Sequence, residues 1–101
     1  ESMPWGYRAM FVLLHTYRVR NGCRTLREMI SRYAPPTENH TENYIRAVAT
    51  QAQVSPDEAL DTRNGNTMIP IVAAMSRVEN GTPAQMDEVR AGWDLFVKYP
   101  V

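Results

Sequence analysis

The segment from residue 34 to residue 44 carries the side chains best suited to chemistry. Two prolines stiffen it, Glu38 and Asn39 lie within it, and Tyr33 and Tyr44 border it. Aromatic rings stack on pyranose faces while carboxylates and amides bind sugar hydroxyls, so these four residues form a candidate substrate-binding surface for a sugar. A carboxylic acid in such a place can also protonate a glycosidic oxygen, which makes Glu38 the candidate catalytic acid.

The same segment can instead be a rigid turn between two helices. Pro35 and Pro36 end the preceding helix, because proline lacks an amide hydrogen and restricts the residue in front of it. Glu38 and Glu42 then lie near the start of the next helix, where negative charge is favourable. The sequence leaves both interpretations open.

The other reactive side chains form no complete motif. His15 and His40 stand on different elements and outside any His-x-x-x-His or Cys-x-x-Cys spacing, so we expect no metal site. The single cysteine, Cys23, excludes a disulfide framework. It is either a thiol activated near a helix start or a small apolar residue packed in a turn. Glycine-rich phosphate loops are absent, and we expect no cofactor.

The charge of the chain is zero overall but unevenly distributed over its 101 residues. Residues 1–34 carry six arginines against two glutamates, whereas residues 35–101 carry five basic against nine acidic side chains. The two parts can pair internally, or the first can form a basic stripe. Because there is no net positive charge, we expect no nucleic-acid partner. We also expect no membrane span and no targeting signal, since neither an apolar run of roughly 20 residues nor a signal peptide is visible.

Apolar residues recur at helical spacing, and no stretch alternates as a strand does. The sequence therefore predicts an all-α fold, a compact bundle of four main helices plus a short helix, as a single domain over residues 1–101. A capping box at Thr25 predicts one helix start, and a second at Ser55 predicts the short helix, ending near Leu60. A further capping signature begins at Thr82. Because the first residue is not methionine, we expect a fragment of a longer chain.

Four stretches of the sequence resemble one family. They are Trp-Gly-Tyr-Arg-Ala at residues 5–9, Thr-Leu-Arg-Glu-Met-Ile at 25–30, Tyr-Ala-Pro-Pro-Thr-Glu-Asn-His-Thr at 33–41 and Tyr-Ile-Arg-Ala-Val at 44–48. The family is that of the phage and prophage virion "structural proteins", which is distantly similar to lysozyme-like glucosaminidases and transglycosylases. The resemblance implies a lysozyme-like helical fold and a cell-wall context. An Asn-rich segment that precedes the first motif in longer members is absent here, so no catalytic residue is carried over.

Three functional hypotheses follow. The first is a phage- or prophage-derived, virion-associated domain that contacts peptidoglycan through Tyr33, Glu38, Asn39 and Tyr44. The second is a purely structural virion or assembly protein that acts through protein–protein contacts. The third is a lysozyme-like muramidase whose acid is Glu38 or lies in the missing segment. In each case we expect the protein in the virion, or in the host cytoplasm before assembly.

A simple structural feature separates these hypotheses. A groove beside the Pro-Pro pair that is lined by polar side chains would favour the first or the third. A flat apolar patch at the same place would favour the second.

Overall fold

The computed structural model describes residues 2–36 and 40–100. Within these ranges the chain forms five helices: α1 (Met3–Arg20), α2 (Leu26–Tyr33), α3 (Thr41–Ala52), α4 (Gly65–Asn80) and α5 (Met86–Lys98). The only extended pairing in the described residues is a single antiparallel bridge between Thr25 and Ala59. The predicted all-α class is therefore confirmed.

The start of α2 is the capping box that the sequence predicts. The Thr25 hydroxyl accepts a hydrogen bond from the Glu28 amide at 3.1 Å, and the Glu28 carboxylate accepts from the amides of Arg24 at 2.8 Å and Thr25 at 3.1 Å. These backbone bonds hold the pKa of Glu28 below its ordinary value. At the other end, Ala34 closes the last turn of α2 directly before the two prolines.

The prediction of a short helix from Ser55 to Leu60 is wrong. Ser55 does accept a hydrogen bond from the Asp57 amide at 3.2 Å, but the segment is a turn followed by extended chain. Its backbone groups pair with the start of α2 instead, since the carbonyl of Pro56 accepts from Arg27 at 3.0 Å and the amide of Leu60 donates to Arg24 at 2.8 Å. A long-range pairing thus takes the groups that a local helix would have used.

The capping signature at Thr82 also fails to start a helix. Helix α5 begins at Met86, and its N-cap residue Gln85 makes no side-chain capping bond. The acids of the first turn, Asp87 and Glu88, favour this end of the helix through the helix dipole.

Two helix pairs enclose the core, because α1 packs mainly on α5 and α3 packs mainly on α4. The largest fully buried side chains come from all five helices: Phe11, Leu14, Leu26, Met29, Ile30, Ile45, Val48, Met68, Ile71, Val72, Met75 and Phe96. None of the helices in the described ranges has both the length and the apolar character that crossing a membrane requires.

The expected pairing between the basic and acidic parts of the chain occurs at Arg27. Its guanidinium contacts Glu42 of α3 at 2.7 Å and Asp57 of the following connection at 2.8 Å. All three side chains remain substantially exposed, so the pairs orient the segments but contribute little stability.

Candidate functional site

Two of the predicted binding residues meet in the structure. Tyr33 is the last residue of α2 and Tyr44 lies in the first turn of α3, and their ring centroids are 6.3 Å apart in an edge-to-face arrangement. Glu79, near the end of α4, accepts a hydrogen bond from the Tyr44 hydroxyl at 3.1 Å. We call Tyr33, Tyr44 and Glu79 the tyrosine–glutamate cluster. It joins three helices at one point of the surface.

The environment of this cluster keeps both phenols protonated. Burial is the main cause that raises the pKa of Tyr44, and the negative charge of Glu79 and the hydrogen bond to it add to this effect. Burial also raises the pKa of Tyr33, again with Glu79 as the second cause. The cluster therefore presents neutral hydroxyls beside an exposed carboxylate, which is a hydrogen-bonding surface rather than an acid–base pair.

The other two predicted binding residues, Glu38 and Asn39, lie outside the described residues. The chain on either side of them is fixed, because the buried Thr41 hydroxyl donates to the carbonyl of Ala34. This bond connects the end of α2 to the start of α3.

A polar depression of about 310 Å³ lies beside Pro36. Its described lining comes from the end of α2, the turn and the start of α3: Ser31, Pro36, His40, Thr41, Glu42 and Asn43. The Ser31 hydroxyl, the His40 imidazole and the Asn43 amide of this lining can bind sugar hydroxyls. The Thr41 hydroxyl is bonded to Ala34, and both carboxylate oxygens of Glu42 are bonded to Arg27. This is the kind of groove that the glycan hypotheses require.

The polar depression and the tyrosine–glutamate cluster lie on different sides of the α2–α3 junction. Ser31 and Tyr33 are two positions apart on α2, and Glu42 and Tyr44 are two positions apart on α3. Two positions rotate a side chain by roughly 200° about a helix, so the members of each pair point to nearly opposite sides. The sequence grouped these features into one site, whereas the helical geometry separates them.

An apolar groove adjoins the cluster on its other flank. It has a volume of about 200 Å³ and lies between α1 and α4, with this lining: Met3, Gly6, Tyr7, Met10, Val72, Met75, Ser76, Glu79 and Asn80. A small polar network stands at its wall, where Tyr7 and Ser76 share a 3.0 Å hydrogen bond and Asn80 donates to the Ser76 carbonyl at 3.0 Å. Glu79 belongs to both the groove and the cluster.

Glu79 is the residue that sequence reasoning missed. It is 35 positions from its partner Tyr44, and no local motif includes both residues. The one available signal was its place in Glu-Asn-Gly at residues 79–81, where an acid at a helix end is poorly placed for the helix dipole and so suggests another role.

The motif at residues 5–9 serves packing in this structure. Tyr7 is buried, and a guanidinium nitrogen of Arg8 donates to the carbonyl of Tyr99 at 2.5 Å, which ties α1 to the end of α5. The guanidinium carbon of Arg8 stands 5.7 Å from the Trp5 ring centroid, and Trp5 stacks on Tyr99 at 6.0 Å. Trp5 and Tyr99 remain 43% and 47% exposed, so they form an aromatic surface at this end of the molecule.

The remaining reactive side chains have structural surroundings. His15 is buried, with Nδ1 2.7 Å from the Thr62 hydroxyl. Cys23 is buried in the turn after α1, and burial raises the pKa of its thiol, which contradicts an activated nucleophile and fits the packed apolar residue. Within the described ranges, no three His, Cys, Asp or Glu side chains are grouped so that they could hold a metal ion.

Comparison with known proteins shows that this sequence is similar to that of a phage protein. No protein-family model and no solved structure matches the chain. The chain is 37% identical over 90 residues to Protein P5 of Pseudoalteromonas phage PM2, and the match covers 88% of this chain and 54% of that protein. The chain thus spans about half the length of this relative. The phage connection implied by the sequence motifs is confirmed, whereas the lysozyme-like relationship stays a prediction.

Proposed function

We propose that this chain is a phage- or prophage-derived, virion-associated domain that contacts the glycan strands of bacterial peptidoglycan. The observation that carries the proposal is the tyrosine–glutamate cluster, in which Tyr33, Tyr44 and Glu79 meet from three helices. The similarity to a phage protein supports the phage context. The contact with peptidoglycan is inferred from the chemistry of the cluster.

The tyrosine–glutamate cluster offers an apolar surface for the face of a sugar ring and hydrogen-bond acceptors for the hydroxyls of that ring. The half-buried rings of Tyr33 and Tyr44 are fixed by packing, so a pyranose face can stack on them without the cost of ordering free side chains. The hydrogen of the Tyr44 hydroxyl is used on Glu79, to which Tyr33 is hydrogen-bonded as well. The two phenolic oxygens and the lone pairs that Glu79 retains are the acceptors left for sugar hydroxyls. Apolar contact and polar orientation are thus available within one small surface.

The polar depression beside Pro36 supports the same class of ligand. A flat apolar patch at this place would have favoured a purely structural protein, whereas five of the six described lining residues carry polar side chains. Because the depression and the cluster face different sides, a glycan strand has two candidate contact surfaces. Variants on each side can assign the contact to one of them.

The surroundings of Glu42 and Glu79 suit ligand binding better than they suit general acid catalysis. Glu42 is held by Arg27 at 2.7 Å, and Glu79 accepts the hydrogen of Tyr44. Both groups therefore serve as acceptors, whereas a general acid must donate a proton to the leaving oxygen. For the muramidase alternative, the candidate acid remains Glu38 or a residue of the missing segment.

Incubation with purified peptidoglycan tests the proposal. Protein that pellets with the polymer is measured on a gel, and released muropeptides are measured by mass spectrometry. We expect the protein to pellet without release of muropeptides. Tyr44→Ala should abolish pelleting, whereas Tyr99→Ala, at an exposed tyrosine elsewhere, should leave pelleting unchanged. Circular dichroism checks that both variants remain helical. Loss of pelleting in Asn43→Ala alone would move the contact to the polar depression.

Two outcomes would replace the proposal. Release of defined muropeptides that disappears in Glu38→Gln would make the protein a muramidase. Absence of both pelleting and release would favour a structural virion component, for which the exposed Trp5–Tyr99 surface is the place to seek protein contacts.

A further inference from the structure

A basic pocket lies between the second half of α1 and the connection that precedes α4. It shares no residue with the tyrosine–glutamate cluster. It has a volume of about 340 Å³, and its lining is His15, Arg18, Val19, Leu60, Asp61, Thr62 and Arg63. His15 and Arg18 are three positions apart on α1, which places them on one face of that helix. The fold brings Arg63 to the same depression from the other side.

His15 fixes the geometry of this pocket. Its Nε2 lies 3.4 Å from a guanidinium nitrogen of Arg63, and because arginine can only donate, Nε2 is the acceptor. The ring proton is therefore on Nδ1, which donates to the Thr62 hydroxyl at 2.7 Å. The ring is buried and further packed edge-on against Phe96 at 5.7 Å. Arg63 is thus oriented by a neutral, immobile imidazole instead of a carboxylate.

The positive charge of the pocket is not neutralised by the surrounding side chains. Among residues 2–36 and 40–100, the ion pairs within 4 Å are those of Arg27, and the Arg18 side chain makes neither an ion pair nor a hydrogen bond. The single acid in the lining, Asp61, turns one carboxylate oxygen back to the amide of Arg63 at 3.0 Å. Two guanidinium groups therefore face the depression against one carboxylate.

We propose that this basic pocket is a binding site for a small oxyanion group, either a phosphate or a carboxylate. The guanidinium groups of Arg18 and Arg63 are planar and offer paired N–H donors, which match two oxygens of such a group. The Thr62 hydroxyl and the His15 ring hold the floor of the site in place. The proposal is independent of the glycan contact, since it uses none of the residues of the tyrosine–glutamate cluster or the polar depression.

Titration with inorganic phosphate, followed by nuclear magnetic resonance, tests the site. The probes are added to the whole chain at constant ionic strength set by sodium chloride, and sodium acetate is titrated in parallel. We expect saturable shifts of the Arg18 and Arg63 side-chain N–H signals and of the His15 ring. Tighter binding of phosphate assigns the site to phosphate groups, and tighter binding of acetate assigns it to carboxylates.

Charge-removing variants decide whether the pocket is responsible. Arg18→Gln and Arg63→Gln should each weaken binding about tenfold, because each removes a charged hydrogen-bond donor. Arg20→Gln, at an exposed arginine of the same helix outside the lining, is the matched control and should bind as the unchanged protein does. The proposal is overturned if neither probe saturates, or if Arg18→Gln and Arg63→Gln bind as tightly as Arg20→Gln.

Discussion

The contact between α1 and α5 depends on the absence of a side chain at Gly92. A Cβ at this position would stand 2.6 Å from the Cβ of Tyr7, 2.8 Å from the carbonyl oxygen of Pro4 and 3.0 Å from the amide nitrogen of Arg8. None of these atoms can move by rotating a side chain, since two belong to the backbone and the third is bonded to it. We therefore predict that Gly92→Ala forces the two helices apart.

The change in unfolding free energy that we expect for Gly92→Ala is the sum of two opposing effects. Alanine is favoured over glycine in a helix interior by about 1 kcal/mol. Overpacking of a close contact costs about 1–3 kcal/mol, and the rigid neighbours of Gly92 place this case at the upper end. The net loss of unfolding free energy is then about 2 kcal/mol. For a domain of this size, 1 kcal/mol lowers the melting temperature by about 4–8 °C.

Gly6 of α1 provides a control of opposite sign. A Cβ there meets nothing within 4 Å, so Gly6→Ala keeps the propensity gain without the clash and should raise the unfolding free energy by about 1 kcal/mol. Guanidinium unfolding curves monitored by circular dichroism measure both variants. If Gly92→Ala were as stable as the unchanged chain or more so, the close α1–α5 contact would be refuted.

Two further predictions concern local elements. Thr25→Ala should lower the unfolding free energy by about 1 kcal/mol in urea unfolding, because the substitution removes the capping box of α2. Thr82→Ala should change the unfolding free energy little, since Thr82 caps no helix in the structure. Burial first, and the charge of Arg63 second, lower the folded-state pKa of His15 below its ordinary 6.5. The unfolded chain therefore binds this proton more readily, so stability is retained above pH 6.5 and is lost as the pH falls through the folded pKa. Urea unfolding across this range should show a smaller decrease in His15→Gln, and an equal decrease would contradict the prediction.

Capping signals illustrate what local sequence can and cannot predict. The Thr25 box is correct because all its hydrogen bonds join residues within four positions of each other. The equally regular signal at Ser55 is misleading, since the backbone that follows it pairs with residues 29 and 36 positions away. A capping pattern states a local preference, and a long-range backbone pairing can override it.

The candidate site shows the same difference between local contacts, which the sequence predicts, and long-range contacts, which it does not. The sequence placed Tyr33 and Tyr44 near each other, as the structure does, because few residues separate the end of α2 from the start of α3. It did not predict Glu79, which approaches Tyr44 only when α4 packs on α3. It also did not predict the basic pocket, whose two arginines are 45 positions apart in the chain.

The sequence by itself determined the all-α class and the ends of α2, because periodicity and capping act within a few residues. Only the tertiary structure decided which side chains share a surface. The tertiary fold sets the separation of the polar depression from the tyrosine–glutamate cluster and places Arg18 and Arg63 in the lining of one pocket. Such contacts depend on how whole helices are oriented against one another, and no local pattern of residues encodes that orientation.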